Sequence, residues 1–231
     1  MDPQTLPPDV RLVYDRIKAR YQVRFEALSV RKHRLHVLRM TDLEQILDGK
    51  NPLKDVGSFP FWVKIWEASL VLADLLVALP RLRGTTMLEL GAGLGVPGLA
   101  AAAAGATVTL SDYEEHILDF ERVNAAASGL KDVSFSLLDW KNPPTDMPRY
   151  DVLAGAEILF RDEFFEPLLQ IMQRALKPGG VIYLAHDSRR QSLHPFLKLA
   201  EQDYVIAASK RRLKSVEEDR TIILTRLQPR K

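Results

Sequence analysis

The sequence predicts an α/β fold in which a mostly parallel sheet carries helices on both faces. From Leu88 onward, short apolar segments typical of buried strands alternate with amphipathic segments typical of helices. A loop alone joins the last two strand segments, so they are predicted to pair as an antiparallel hairpin at one edge. Segments rich in glycine and proline separate most of these elements.

Composition limits the classes of partner. The chain has 231 residues, of which 46% are hydrophobic, so it can bury one sizeable core. A formal net charge of +2 gives no reason to predict nucleic acid or membrane as a partner. Without cysteine there is neither a disulfide nor a cysteine-ligated zinc, and we predict no metal site. No apolar signal segment is found, so a cytoplasmic location is expected.

The N-terminal part, residues 1–58, is predicted to be a helix and hairpin extension. Asp9 is the expected N-cap of the helix, and period-two patterns predict hairpin strands over Tyr21–Leu28 and Leu35–Leu38. A short helix over Thr41–Leu47 and a turn at Asp48–Pro52 follow.

Residues 59–231 are predicted to form the domain that contains the sheet. Helices are predicted over residues 59–79, 113–128, 163–176 and 193–201, and a further helix follows the glycine-rich segment and runs through residues 100–104. The predicted strands are 87–90, 107–110, 133–137, 151–153, 181–185, 204–209 and 221–225.

The segment Met87–Gly98 predicts a nucleotide-type binding loop. It reads as a buried strand, a glycine turn and the start of a helix. Gly91, Gly93 and Gly95 allow a sharp turn and a close approach of the backbone to a ligand. The helix after them presents unpaired N–H groups and the positive end of its dipole. Such a loop lies where open α/β sheets bind ligands.

The identity of the nucleotide depends on the neighbours of this loop. A Gly-x-Gly-x-x-Gly pattern spans Gly93–Gly98, and Asp112 follows about twenty residues later, as a ribose-binding acid does. That pattern alone is equally consistent with a dinucleotide dehydrogenase. Glu89, however, would repel a pyrophosphate and attract an ammonium group. Asp139 and Trp140, after the third strand, suit the amino group and the face of an adenine. The final antiparallel hairpin is also unusual for a dinucleotide fold, so S-adenosylmethionine (SAM) is the predicted cofactor.

From about Trp62 onward, the chain resembles the seven-stranded class I SAM-dependent methyltransferases. More narrowly, it is similar to the methyltransferase 16 family of protein lysine methyltransferases. The motifs that carry this resemblance are Trp66–Ser69, Glu89–Gly95, Asp112, Asp139–Trp140 and Asp151–Phe160. The resemblance implies a Rossmann-like, doubly wound, seven-stranded sheet with an antiparallel C-terminal hairpin, and a methyltransferase domain over residues 59–231.

The resemblance also implies a set of site residues. The cofactor-binding residues would be Gly91, Ala92 and Gly93 at the methionine part, Glu89 beneath them, Asp112 at the ribose, Asp139 and Trp140 at the adenine, Trp66 closing the pocket, and the backbone of Ala156. Glu157 and Phe160 match the motif that holds the target amine, and are the predicted catalytic residues. The family usually has Asp and Tyr at these two positions.

The chemistry assigns an orienting role to Glu157. Methyl transfer from a sulfonium is an in-line displacement, so the enzyme must align a neutral nucleophile. A lysine amine, with an ordinary pKa of about 10.4, must first lose its proton. Glu157 would orient the ammonium but would raise its pKa, so general-base action is the less favoured role.

Three hypotheses follow for the activity. The main one is N-methylation of a protein side chain, in particular lysine, with a protein as the partner. The second is methylation of a small molecule or another non-lysine acceptor. The third is a non-catalytic SAM-binding protein that works through its N-terminal hairpin.

A further group of charged residues follows the fifth predicted strand. His186 and Asp187 are adjacent, so they are predicted to point to opposite faces and not to form a catalytic pair. Arg189 and Arg190 come directly after them. We predict that this segment forms a substrate-side lip; a purely structural role is the alternative.

Overall fold

The computed structural model describes residues 1–42, 61–214 and 219–230. The predicted turn at Asp48–Pro52, most of the predicted helix Thr41–Leu47 and the start of the predicted helix at Phe59 lie outside the described residues. The predicted division at residue 58 also falls there and stays a prediction.

The N-terminal part contains the predicted helix and hairpin. Helix α1 is Pro8–Arg20, and strands β1 (Val23–Val30) and β2 (His33–Met40) pair in antiparallel register. The prediction of Asp9 as N-cap was wrong, because the helix begins one residue earlier and Asp9 lies in its first turn. Pro8 suits that first position, since its missing N–H would have had no partner there.

Most of the remaining elements alternate between strand and helix, as predicted; Val133–Leu137 is followed directly by another strand, Tyr150–Ala156. In chain order the elements are α2 (Glu67–Val77), β3 (Thr86–Leu90), α3 (Val96–Ala103), β4 (Thr107–Asp112), α4 (Glu115–Ala127), β5 (Val133–Leu137), β6 (Tyr150–Ala156), α5 (Phe165–Ala175), β7 (Leu176–Asp187), α6 (Leu193–Ala200), β8 (Tyr204–Leu213) and β9 (Arg220–Pro229).

Strands β3 to β9 form one sheet in the order β5-β4-β3-β6-β7-β9-β8. Strands β3 to β7 are parallel to one another, and β9 runs antiparallel to both β7 and β8. The predicted doubly wound α/β sheet of seven strands with an antiparallel C-terminal hairpin is therefore confirmed. The chain builds outward from β3 to β5 and then crosses to place β6 on the other side of β3, which creates a topological switch point between β3 and β6.

Two strands extend beyond their predicted ends because their partners continue. Strand β7 begins at Leu176, which pairs with Tyr150 ahead of an irregularity in the register, and so includes the predicted Pro-Gly-Gly turn. Strand β8 continues to Leu213, opposite Arg220 of β9. Neither extension shows in the hydrophobic pattern, because the added residues are mostly charged, glycine or proline, and Leu176 and Leu213 are isolated apolar residues among them.

Helices cover both faces of the sheet. The first face packs against α2, α3 and α4, and the N-terminal helix and hairpin join the same hydrophobic cluster. The second face packs against α5 and α6, where Phe165 and Phe196 stack edge to face with ring centroids 5.5 Å apart. Within the described ranges, no helix has both the length and the apolar character needed to cross a membrane.

Asn124 of α4 connects the hairpin to the glycine loop. Its Oδ1 accepts the Leu38 N–H at 2.6 Å and its Nδ2 donates to the Leu94 carbonyl at 3.0 Å, in a fully buried setting. Asn124→Ala would leave both backbone groups buried without these partners, so we expect a loss of about 2 kcal/mol in the free energy of unfolding. Urea denaturation measures this loss, with Gln202→Ala in an exposed turn as the control. Equal stability of the two variants would contradict the assignment.

Candidate functional site

The carboxyl ends of four parallel strands meet at one cavity of about 710 Å³. Gly91 follows β3, Asp112 ends β4, Asp139 lies two residues beyond β5, and Ala156 ends β6. The cavity thus occupies the switch point between β3 and β6, where open α/β sheets place their ligands. Its volume is in the usual range for a site that takes a small molecule or cofactor.

All of the site residues predicted from the sequence line this cavity. They are Trp66, Glu89, Gly91, Ala92, Gly93, Asp112, Asp139, Trp140, Ala156, Glu157 and Phe160. The structure therefore brings together residues from every predicted motif, although their individual roles stay predictions.

Asp112 fixes the glycine turn. Gly93 has a φ of +58°, a conformation that glycine adopts without strain, and its N–H donates to Asp112 Oδ2 at 2.8 Å. Asp112 Oδ1 accepts the N–H of Tyr113 at 2.7 Å. Burial raises the pKa of Asp112 to about 6, against the opposing effect of these hydrogen bonds. At neutral pH the carboxylate form dominates and can accept hydrogen bonds from ribose hydroxyls.

Glu89 lies beneath the same loop and is almost completely buried. Its Oε2 accepts the Gly98 N–H, in the first turns of α3, at 2.7 Å. Burial raises the pKa of Glu89 to about 8, and the nearby Asp112 adds to the shift. With a pKa of about 8, Glu89 is mainly protonated at neutral pH in the cofactor-free protein, which modifies the prediction that its charge attracts an ammonium group.

An aromatic group forms the wall beside the glycine loop. Ring centroids lie 5.5 Å apart for Trp140 and Phe164, 6.3 Å for Trp140 and Phe160, and 5.4 Å for Phe160 and Phe164. A Cβ added at Gly91 would lie 3.3 Å from the Trp140 ring, so glycine is what allows the loop to approach this wall. Asp139 accepts the Lys141 N–H and a hydrogen bond from Asn142, and the latter lowers its pKa. Trp140 offers a flat surface suited to an adenine.

Glu157 and Trp66 also line the cavity. Glu157 has a φ of +57°, and the other non-glycine residue with positive φ in the described ranges is Arg31, in the hairpin turn. The Glu157 carboxylate accepts the Asp187 N–H at 2.6 Å and pairs with Arg190 Nε at 2.6 Å. The Trp66 ring has Lys64 Nζ 4.8 Å from its centroid.

Sequence analysis missed one buried acid beside the site. Glu121 of α4 is fully buried, and neither of its carboxyl oxygens has a hydrogen-bond partner among the described residues. Burial raises its pKa well above the usual range, and Asp112 and Glu89 add to that shift. The signal was present in the sequence, because Glu121 interrupts a helix face on which Ile117, Leu118 and Ala125 are apolar.

No His–Asp pair forms at the end of β7, as predicted. Both ring nitrogens of His186 lack a hydrogen-bond partner within the described part of the chain, and burial lowers its pKa to about 3. Asp187 instead pairs with Arg189 and Arg220.

These features fit an adenosyl cofactor with a cationic amino-acid tail. The cavity supplies a carboxylate next to a glycine turn, a flat indole for a base, and one buried acid, Glu89, for which a cation would be a favourable partner. A seven-stranded sheet whose penultimate position holds a reversed strand, with such a cavity at its switch point, is the architecture that the resemblance to the class I SAM-dependent methyltransferases implies.

The comparison with known families gives the narrower assignment. A family model described as lysine methyltransferase matches residues 54–203. The chain belongs to this lysine methyltransferase family, and the predicted SAM cofactor and methyltransferase activity follow from that membership. The alternative of a dinucleotide dehydrogenase is thereby excluded.

Relatives and solved structures agree with this class. The chain is 34% identical over 148 residues to protein N-lysine methyltransferase METTL21A of Xenopus tropicalis, which covers 62% of this chain and 68% of that protein. It is 37% identical over 111 residues to histone-arginine methyltransferase METTL23 of Mus musculus, covering 46% of this chain and 44% of that protein. The T. thermophilus 16S rRNA N2 G1207 methyltransferase RsmC, solved with AdoMet and guanosine, has a similar fold, with a TM-score of 0.63, 19% identity, and coverage of 90% of this chain and 51% of that chain.

Proposed function

We propose that this protein transfers the methyl group of SAM to the side-chain nitrogen of a lysine in another protein. The observation that carries the proposal is the arrangement of the cavity, in which Glu157 and Phe160 line the wall beside a cofactor site built on Gly93 and Asp112. Membership of the lysine methyltransferase family and the similarity to METTL21A support a protein lysine as the acceptor.

In this proposal the residues that line the cavity divide into those that bind the cofactor and those that act on the acceptor. SAM, when bound, supplies an electrophilic methyl group on a sulfonium. In our proposal Asp112 accepts hydrogen bonds from the ribose, Trp140 packs on the adenine, and Gly91, Ala92, Gly93 and the Ala156 backbone line the methionine part; Trp66 and Phe160 exclude water. Glu157, whose carboxylate is fixed by the Asp187 N–H, orients the acceptor nitrogen toward the methyl group.

Methyl transfer to cell extract tests the acceptor. With tritiated SAM, we expect label in the protein fraction, and mass spectrometry of the labelled band should find a methylated lysine. Glu157→Gln should lower the transfer rate by about 10-fold or more, since alignment of the nucleophile is lost. The control Glu166→Gln changes an exposed acid of α5 in the same way. Label confined to small molecules would contradict the proposal, and full activity of Glu157→Gln would contradict the placement of the acceptor site.

Arginine is a second candidate acceptor, because METTL23 is 37% identical over the shared 111 residues. The same mass spectrometry separates the two, since it reports which side chain gains 14 Da or its multiples. The cytoplasmic location predicted from the sequence stays part of this proposal, and a fluorescent fusion in cells checks it.

The cofactor side of the cavity can be tested without an acceptor. We expect Asp112→Ala to weaken SAM binding about 30-fold, because it removes the carboxylate proposed for the ribose and the partner of the Gly93 N–H. Isothermal titration calorimetry measures this change, with the exposed Asp132→Ala as control. Equal affinity of both variants would exclude Asp112 from the cofactor site.

A further inference from the structure

Arg190 contacts Glu157 and Trp66, the two residues that form what we call the acceptor wall of the cavity. Its Nε donates to Glu157 Oε2 at 2.6 Å, and its guanidinium carbon lies 5.9 Å from the centroid of the Trp66 ring. The side chain of Glu157 is 7% exposed and that of Arg190 is 28% exposed. The acid predicted to hold the acceptor is therefore already paired with a cation of the protein itself.

The segment that carries Arg190 is fixed to the Glu157 region. The hydroxyl of Ser192 donates to the carbonyl of Leu159, and the Arg190 N–H donates to the Asp187 carbonyl at 3.0 Å. The Glu157 N–H donates to the Ala185 carbonyl of β7 at 2.9 Å. Arg190 thus occupies a defined position beside Glu157.

Charged groups of both signs surround this pair among the residues that the structure describes. The cations are Arg190 and Arg189 after β7, Lys64 before α2 and Arg220 on β9; the carboxylates are Glu157 after β6, Asp187 on β7 and Glu67 on α2. Beyond Phe160, Glu163 pairs with both Lys141 and Arg161. His186 stays neutral because burial lowers its pKa to about 3.

A cation paired with Glu157 counteracts an effect that the carboxylate alone would have on the acceptor amine. A lysine amine, with an ordinary pKa of about 10.4, attacks only as the neutral form. An unpaired carboxylate beside it would stabilise the ammonium, whereas a neighbouring cation favours the neutral amine.

We propose that Arg190 is a positioning residue for methyl transfer: paired with Glu157 beside Trp66, its guanidinium offsets the charge of the Glu157 carboxylate, so that the acceptor amine is not held as an ammonium ion and loses its proton on entry. The proton passes to solvent. The nitrogen lone pair then forms the new N–C bond as the C–S bond breaks, and the electron pair of that bond stays on sulfur. This inference rests on the proposed function and assigns a source for the deprotonation that it requires.

The test uses two substitutions that change the local charge in opposite directions. The rate of tritium transfer to the labelled protein of the extract is measured as a function of pH. On the acidic side of this profile, where the rate rises with pH, we expect the curve to move to higher pH by about one unit in Arg190→Gln and to lower pH in Glu157→Gln. Arg190→Lys should show the same pH profile as the wild type on the acidic side. A merely structural role would lower the rates without moving the two profiles in opposite directions.

A second measurement needs no acceptor. Sinefungin carries a primary amine where SAM has its methyl sulfonium, so its proton release on binding reports the charge at the acceptor wall. By calorimetry near pH 9 in buffers of different ionisation enthalpy, we expect Arg190→Gln to release fewer protons than wild type and Glu157→Gln to release more. The exposed Arg212→Gln is the control, and binding of S-adenosylhomocysteine verifies that each variant is folded.

The outcomes separate this inference from the proposed function. An extract without a labelled protein would contradict the proposed function and leave the sinefungin result to decide on Arg190. The role of Arg190 would be overturned if wild type, Arg190→Gln and Glu157→Gln released equal numbers of protons on binding sinefungin. It would also be overturned if the pH profiles of the transfer rate did not shift, even if lysine methylation is found.

Discussion

Replacement of Gly98 by alanine is expected to lower the free energy of unfolding by about 3 kcal/mol, because it overfills a closely packed junction. A Cβ at this position would overlap Leu110 of β4 and lie 2.6 Å from Glu89 Oε2, the acceptor of the Gly98 N–H. Helix propensity alone predicts the opposite sign, since alanine is favoured over glycine inside a helix such as α3 by about 1 kcal/mol. The sign of the measured change therefore decides between close packing and propensity.

Urea denaturation of the cofactor-free protein measures this effect, and a double variant shows its cause. Leu110→Ala removes the side chain that the new methyl group would overlap, so Gly98→Ala should cost less in that background than in the wild type. Additive losses would show that the overlap with Leu110 is not the cause. Greater stability of Gly98→Ala would contradict the packing described at this junction.

Glu89→Gln is expected to be neutral near pH 4 and to stabilise the cofactor-free protein by about 4 to 5 kcal/mol near pH 8.5. Burial raises the pKa of Glu89 to about 8 in the folded protein, against an ordinary value of 4.5. Below pH 4.5 both states are protonated and the residue has no effect. As the pH rises toward 8, the unfolded chain releases the proton and the folded protein retains it, so the wild type loses stability. Glutamine has no proton to release, and its amide oxygen can still accept the Gly98 N–H.

The measurement is urea denaturation of both proteins from pH 4 to pH 9. Asp112 and Glu121 titrate together with Glu89, so the difference between the two proteins reports the Glu89 charge and its coupling to these two acids. Glu166→Gln, on an exposed surface, should follow the wild type at every pH. If the free energies of unfolding of wild type and Glu89→Gln changed with pH in the same way, the raised pKa of Glu89 would be contradicted.

The order of strands and helices could be predicted because its causes are local. A glycine turn after an apolar strand and the termination of α4 before Gly129 depend on residues adjacent in sequence. The cavity lining could be predicted for a related reason, since parallel strands bring their carboxyl ends to one edge.

The pairing of Glu157 with Arg190 could not be predicted, because it depends on contacts distant in sequence. The two residues meet only because β6 and β7 pair in one register and the segment after β7 turns back toward Leu159. The protonation of Glu89 likewise depends on how completely α3 covers it. Sequence patterns report neither the depth of burial nor the partner of a charged side chain.

The position of β9 between β7 and β8 has a consequence for synthesis on the ribosome. Strand β7 pairs with residues 222–227, so one edge of this strand stays open while the thirty or so residues that follow it emerge. The cofactor-site strands β3 to β6 are complete much earlier. A nascent chain therefore exposes an apolar edge, including Ile182 and Leu184, beside an already formed ligand site. Once β9 inserts, β8 becomes the outer strand, and its Lys210, Arg211 and Arg212 present charges that oppose aggregation through that edge.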